Sequence, residues 1–114
     1  MDNGLLIMLI CVLGGGFVII LNEMNKKKSS KAKEMLESGS VVIDVRTPEE
    51  FKSGHYMNSI NIPLDKIESS LDKIRSYDNG IVIVCASGMR SAKAKSILAK
   101  NNIESTNGVS WKNL

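Results

Sequence analysis

The chain has 114 residues and a formal net charge of +3, which leaves room for one domain of ordinary size. Much of the positive charge lies in a cluster of five lysines: Lys26, Lys27, Lys28, Lys31 and Lys33. Without a broad basic face or interleaved aromatic residues, the composition argues against nucleic-acid binding. Cys11 and Cys85 are the two cysteines and form no CxxC pair, which argues against a disulfide framework and a cysteine-based metal site.

The N-terminal stretch from Leu5 to Leu21 is an uncharged, mostly apolar run of 17 residues. As a helix it would span roughly 25 Å, which suits a short membrane-spanning segment. A cleavable signal peptide fits less well, because the run lacks a positive n-region and a small-residue cleavage motif. We therefore predict a transmembrane anchor over residues 1–22, a basic linker over residues 23–30 and a folded domain over residues 31–114.

The lysine cluster also predicts the orientation of this anchor. All five lysines follow the apolar run and none precedes it. The positive-inside rule places the lysine-bearing end of such a helix in the cytoplasm. We therefore expect a single-pass protein of the cell membrane whose C-terminal domain faces the cytoplasm, with the membrane itself as a partner.

Helical and strand patterns alternate along the folded part of the chain. Gly39 is expected to stop the first helix, Thr47 to cap the second, and Pro63 to end the second strand. In chain order, the pattern predicts a helix over 31–37, a strand over 41–45, a helix starting at 47–50, a strand over 59–62, an amphipathic helix over 64–74, a strand over 81–84, a helix over 91–100 and a short strand over 103–106. The run 81–84 is apolar throughout, which is typical of a central parallel strand buried on both faces. This alternation predicts an α/β fold with a mainly parallel sheet.

The most informative segment follows that central strand. Cys85 stands at the strand's end and Arg90 opens the next helix, with Gly88 between them. Ligand sites of open α/β sheets lie at the carboxyl ends of strands, and such a loop can direct several N–H groups at one point. A thiol at that point has a lowered pKa, which makes Cys85 a candidate nucleophile. A buried structural cysteine is the alternative that the spacing alone leaves open.

Three motifs in the same order resemble those of the rhodanese family of sulfurtransferases. They extend over nearly all of residues 31–112. The first comprises residues 44–51 with Gly54, His55 and 60–63, the second residues 84–91, and the third residues 107–109 followed by Trp111. The resemblance implies a mainly parallel sheet of four to five strands flanked by helices, after the transmembrane anchor.

The resemblance also implies the chemistry of the site. Cys85 would carry sulfur as a persulfide, taking it from thiosulfate or another persulfide donor and passing it to a thiol, cyanide or a protein acceptor. The loop that would bind the substrate through its backbone amides comprises Ala86, Ser87, Gly88, Met89 and Arg90, and Arg90 would also hold the loop in place. No metal and no cofactor is implied. Arg90 is the one charged residue of this loop, so the attraction of the loop for dianionic thiosulfate is expected to be weak. Thiosulfate and persulfides therefore both remain candidate donors.

Other residues of these motifs are expected to support the structure. We expect Asp44 and Arg46 to form a structural ion pair at a strand end, and we expect Trp111 to pack against the domain instead of binding a ligand. His55 is the only histidine of the sequence, and beside Gly54 at a helix end we expect it to be structural. Asn58 and Asn107 stand where the family usually has glycine, and asparagine tolerates the left-handed backbone region well.

Three other functions compete with sulfur transfer. The first is a non-catalytic rhodanese-like module that binds a partner at the membrane. The second is a Cys-dependent phosphatase or arsenate reductase, although the related phosphatases have Cys-x5-Arg and this chain has Cys-x4-Arg. A thiol–disulfide oxidoreductase is disfavoured, because the folded part has no second cysteine to resolve a disulfide.

Overall fold

In the computed structural model, which describes residues 30–114, helices and strands alternate along the chain. The helices are α1 (30–37), α2 (Pro48–Lys52), α3 (Leu71–Arg75) and α4 (Met89–Lys100). The strands are β1 (Val41–Asp44), β2 (Ile60–Asn61), β3 (Ile81–Cys85) and β4 (Thr106–Ser110). Short 3₁₀ turns occupy Leu64–Lys66, Glu68–Ser70 and Trp111–Asn113.

The four strands form one sheet in the order β2-β1-β3-β4, and every pairing is parallel. All five residues of β3 are buried between β1 and β4, which confirms the predicted central strand. Because the strands run in the same direction, their carboxyl ends meet at one edge of the sheet. The predicted α/β fold with a mainly parallel sheet is therefore confirmed over the residues described.

The alternation of side chains along β3 divides the core between the two faces of the sheet. Ile83 and Cys85 pack in a large apolar cluster that includes Leu98 of α4. Val82 packs on the opposite face, in a smaller cluster with Ala32 of α1. The Cys85 side chain therefore lies on the face of the sheet that α4 covers.

Two predicted helix boundaries are confirmed by their capping hydrogen bonds. At the end of α1, Gly39 has φ +90° and its N–H donates to the Leu36 carbonyl at 3.0 Å, while the Ser40 N–H donates to the Met35 carbonyl at 3.1 Å. This pair of bonds is a Schellman motif. At the start of α2, the Thr47 side chain accepts the Glu50 N–H and the Glu50 carboxylate accepts the Thr47 N–H, a capping box.

The prediction of a single amphipathic helix over 64–74 was wrong. The segment forms two 3₁₀ turns followed by α3, although the predicted inward residues Ile67 and Ile74 are fully buried. The regular helix is interrupted at Ser69 and Ser70: the Ser69 hydroxyl donates to the Lys66 carbonyl at 3.0 Å, and Ser70 leaves helical geometry at φ −114°, ψ 13°. Serine hydroxyls compete in this way with helical backbone hydrogen bonds.

The last strand also differs from the prediction. The sequence pattern placed it at 103–106, but Ile103 ends the turn that follows α4, where its N–H donates to the Leu98 carbonyl at 2.9 Å. The strand itself is Thr106–Ser110, which contains Asn107 and Gly108. Both residue types are depleted in strands, so the pattern pointed upstream of the true element.

The predicted anchor and linker, residues 1–22 and 23–30, lie outside the described residues apart from residue 30. Within residues 30–114, no helix is long and apolar enough to cross a bilayer. The anchor and the cytoplasmic orientation of the domain therefore stay predictions from the sequence.

Candidate active site

Cys85 is the last residue of β3, and only 1% of its surface is exposed at the carboxyl edge of the sheet. Residues 86–88 then form a bend, and α4 begins at Met89. Ala86 and Ser87 are exposed, and Met89 is 81% exposed. The buried sulfur atom is therefore followed in the chain by three exposed, uncharged side chains, those of Ala86, Ser87 and Met89.

Gly88 directs the loop back toward that sulfur atom. Its φ of +105° is one that residues with a Cβ rarely adopt. Its N–H donates to Cys85 Sγ, with an N–S distance of 2.9 Å. A Cβ at this position would lie only 2.8 Å from Val109 Cγ1. Glycine is thus required both by the backbone conformation and by the space available.

Ser91 is a second polar group beside the sulfur, and no sequence pattern indicated it as a site residue. Its fully buried Oγ lies 3.4 Å from Cys85 Sγ, 2.7 Å from Asn107 Oδ1 and 3.0 Å from the Gly88 carbonyl oxygen. A hydroxyl has one hydrogen, so it donates to one of these atoms at a time. It can accept the thiol hydrogen while donating to Asn107, and it can turn to donate to the sulfur once the thiol has ionised.

The pKa of the Cys85 thiol is lowered from its ordinary value. Burial is the largest single effect and raises the pKa, but the hydrogen bonds to the sulfur together outweigh it. These bonds come from the Ser91 side chain and from the backbone N–H groups of Ser91, Gly88 and Ser87. Because the thiolate is the nucleophilic form of cysteine, this arrangement prepares Cys85 for attack on an electrophile.

Replacing Ser91 with alanine is expected to raise the Cys85 pKa, because the thiolate loses its side-chain donor. The pH at which the thiolate forms, followed by its ultraviolet absorbance, should move upward, and the rate of alkylation should begin to rise at a higher pH. Ser76→Ala removes an exposed hydroxyl from the end of α3 and serves as the control. An unchanged pKa in Ser91→Ala would mean that the backbone N–H groups alone stabilise the thiolate.

The backbone of β4 is irregular where it passes this site. Ile83 pairs with Asn107 and Val84 with Val109, so Gly108 is left over as a bulge. Asn107 is buried, and its Oδ1 accepts the Val109 N–H at 2.9 Å. Both Asn58 and Asn107 were expected to tolerate left-handed backbone geometry. Asn58 adopts this geometry, with φ 66°, but Asn107 does not: the residue with a positive φ there is Val109, at 69°. An Asn-Gly pair was the one sequence signal for this irregularity.

The structure pairs Arg90 with a carboxylate. Its two terminal nitrogens lie 2.6 and 3.0 Å from the two carboxylate oxygens of Glu50, a bidentate ion pair. The hydrogen bond from Arg90, followed by that from the Thr47 N–H, lowers the pKa of Glu50 to about 2. The same pairing raises the pKa of Arg90. Glu50, one residue of the first motif (44–51), thus joins the first turn of α2 to the first turn of α4.

Asp44 and Arg46 form a second ion pair, which is buried. Arg46 Nη2 lies 2.8 Å from Asp44 Oδ2, and the two side chains are 5% and 0% exposed. Arg46 Nη2 also donates to the Gly54 carbonyl at 2.7 Å, and its guanidinium lies 4.7 Å from the centre of the Trp111 ring. The pair therefore joins the end of β1 to two other segments that line the same edge of the sheet.

His55 has local partners. Its ring stacks on Phe51 with a centroid distance of 3.8 Å, and its Nδ1 lies 2.8 Å from the Phe51 carbonyl oxygen. Within residues 30–114, no group of three or more His, Cys, Asp or Glu side chains is placed to hold a metal ion.

The sequence of this chain is similar to those of known proteins. Residues 28–111 match the family model described as a rhodanese-like domain. YqhL of Bacillus subtilis, an uncharacterized protein, is 38% identical over 60 residues, which cover 53% of this chain and 47% of YqhL. Thiosulfate sulfurtransferase 16 of Arabidopsis thaliana chloroplasts is 36% identical over 74 residues, covering 55% of this chain and 62% of that protein. The chain thus spans about half the length of YqhL and less than two thirds of the length of the Arabidopsis protein.

Among solved structures, a rhodanese from E. coli superposes with a TM-score of 0.61 at 27% sequence identity. The match covers 67% of this chain and 92% of the E. coli chain. The similarity therefore extends over almost the whole of a structure of comparable size.

Proposed function

The chain belongs to the rhodanese-like domain family, and on that premise we propose that it is a sulfurtransferase. It moves sulfane sulfur from thiosulfate or a persulfide donor to a thiol, cyanide or a protein acceptor. Cys85 carries the sulfur between the two as a persulfide. The name of the Arabidopsis relative, a thiosulfate sulfurtransferase, supports this class of reaction.

The observation that carries the proposal is the set of donors around Cys85 Sγ. A buried sulfur atom accepts the Gly88 N–H at 2.9 Å and has the Ser91 hydroxyl 3.4 Å away. These donors stabilise on Sγ the thiolate that attacks the sulfur donor. In this mechanism Ala86, Ser87, Gly88, Met89 and Arg90 form the substrate-binding loop.

The reaction has two half-steps. The Cys85 thiolate attacks the outer sulfur of the donor, a new S–S bond forms to Sγ, and the donor's own bond to that sulfur breaks. Its electron pair leaves with sulfite when the donor is thiosulfate. In the second half-step the acceptor attacks the outer sulfur of the persulfide, and the electron pair returns to Cys85. No net oxidation or reduction of the protein occurs over the cycle.

Two residues have supporting roles in this proposal. The buried pair of Asp44 and Arg46 fixes the end of β1, next to the strand that carries Cys85.

The pairing of Arg90 with Glu50 favours sulfur transfer over phosphatase chemistry, because a phosphate site would need that guanidinium for phosphate oxygens.

The test is to incubate the full chain with thiosulfate, and separately with an organic persulfide, and to measure its intact mass before and after. We expect a mass gain of one sulfur atom, and thiocyanate formation when cyanide follows. Cys85→Ser should abolish both, since the attacking sulfur is gone.

Cys11→Ser is the matched control, because it removes the other cysteine of the chain by the same substitution. It should load and transfer sulfur as the unmodified chain does. If no sulfane donor adds sulfur to Cys85, the sulfurtransferase proposal is wrong and a non-catalytic binding module takes its place.

A further inference from the structure

We propose that the Cys85 site selects sulfur donors by charge, taking neutral or singly charged donors, the class of organic persulfides, in preference to dianionic thiosulfate. This inference rests on the proposed sulfur transfer at Cys85. It concerns which donor supplies the sulfur, a choice that the shape of the loop alone leaves open.

The first observation is that the positive charge of the loop is already balanced. Arg90 is the one cation among residues 86–91, and both of its terminal nitrogens bind the Glu50 carboxylate at 2.6 and 3.0 Å. Glu50 is held in place in turn by the capping box with Thr47. An incoming anion would have to compete with this bidentate partner for the guanidinium.

The second observation is the character of the surrounding surface. Ala86 and Ser87 are exposed and uncharged, and the Met89 side chain is 81% exposed. The next cation along α4, Lys93, lines a cleft of about 530 Å³ that Asp65 and Glu68 also line. Arg90 lines this cleft as well, so two cations face two carboxylates there, and Arg90 is already paired with Glu50. Neither the loop nor this cleft therefore offers an excess of positive charge to a dianion.

The backbone donors do not compensate for this lack of cations. The Gly88 N–H is directed at Cys85 Sγ, where it stabilises the thiolate. A donor that approaches this thiolate meets a negative charge, and the repulsion grows with the charge that the donor carries. Thiosulfate carries two negative charges, whereas a persulfide of an uncharged thiol carries at most one.

The transfer from an organic persulfide balances without any further reactant. The Cys85 thiolate attacks the terminal sulfur of R–S–SH, and a new S–S bond forms to Sγ as the donor's S–S bond breaks. The electron pair leaves on R–S⁻, which takes up the proton of the donor and departs as R–SH. Cys85 is left as the anionic persulfide.

The test compares thiosulfate with methanethiosulfonate, in which a methyl group replaces one charged oxygen of thiosulfate. Both donate an outer sulfur, and they differ by one charge. The rate of persulfide formation on the full chain is measured with each donor by intact mass, and the rate with methanethiosulfonate is divided by the rate with thiosulfate. The same ratio is measured for a small free thiol, and dividing by it removes the difference in intrinsic reactivity between the two donors. We expect the full chain to favour methanethiosulfonate by about tenfold.

Met89→Lys then adds one positive charge at an exposed position of the loop. It should raise the rate with thiosulfate relative to methanethiosulfonate by about fivefold, and about 1 M salt should remove the gain. Met57→Lys is the matched control, because Met57 is 77% exposed and lines a pocket with Ser40 and Val41, at the end of β1 opposite to the loop. It should leave the ratio unchanged.

Two outcomes would overturn the inference: equal normalised rates for the two donors in the unmodified chain, or an unchanged ratio in Met89→Lys. Failure of the proposed function looks different, since neither donor would then load Cys85 in any variant. Loading by both donors at equal normalised rates would thus disprove the charge selection while supporting sulfur transfer.

Discussion

Replacing Asp44 with alanine is expected to lower the free energy of unfolding by about 3–5 kcal/mol. The Asp44 side chain is fully buried and binds Arg46, whose own side chain is 5% exposed. Removing the carboxylate leaves a buried guanidinium without its counter-charge, which costs far more than an ion pair contributes at the surface. Urea unfolding of the full chain, followed by circular dichroism, measures the change.

Asp72→Ala is the matched control for this prediction. Asp72 pairs with Arg75 at 3.3 Å, but the two side chains are 105% and 48% exposed. Exposed pairs contribute little, so its loss should change the free energy of unfolding by no more than about 0.5 kcal/mol. Equal effects of the two substitutions would mean that Arg46 reaches solvent or another partner when Asp44 is absent.

Gly88→Ala is expected to slow persulfide formation at Cys85 by about 100-fold, because small displacements of catalytic groups have effects of this size. The added Cβ would lie 2.8 Å from Val109 Cγ1, at a backbone φ of +105° that alanine rarely adopts. The loop must therefore shift, and the Gly88 N–H moves away from the sulfur atom that it now meets at 2.9 Å. Intact-mass measurement of the loading rate reports the loss.

Gly39→Ala separates this effect from a general loss of stability. Gly39 also has a positive φ, of +90°, but the nearest atom to its added Cβ is 3.8 Å away. It should cost about 1 kcal/mol in the free energy of unfolding and leave the loading rate of the folded protein unchanged. If Gly88→Ala keeps its loading rate, the Gly88 N–H is not needed for the reaction.

The parts of this structure that could be predicted from sequence depend on local patterns. The apolar run of β3 indicated a central strand, and Thr47 with Glu50 indicated the start of α2. The spacing of Ile67 and Ile74 predicted correctly which residues are buried, although the segment around them is not one helix. Burial depends on the spacing of apolar residues, whereas helix regularity also depends on the residues between them.

The parts that could not be predicted depend on contacts between distant residues. Glu50 and Arg90 are 40 positions apart, and Ser91 and Asn107 are 16 apart. Neither pair belongs to a periodic pattern, and each forms only because parallel strands bring their ends to one edge of the sheet. The sequence indicated Arg90 as a residue of the substrate-binding loop, but it did not indicate the carboxylate with which Arg90 pairs.

The outer strands of the sheet limit how this domain can associate with other chains. Over residues 30–114 these are β2, which has two residues, and β4, which has a bulge at Gly108. Long, flat edge strands are templates for intermolecular pairing and aggregation, and short or bulged ones discourage it. A protein that meets its acceptors repeatedly and briefly benefits from such edges, because contact through side chains and loops dissociates more readily than a shared sheet.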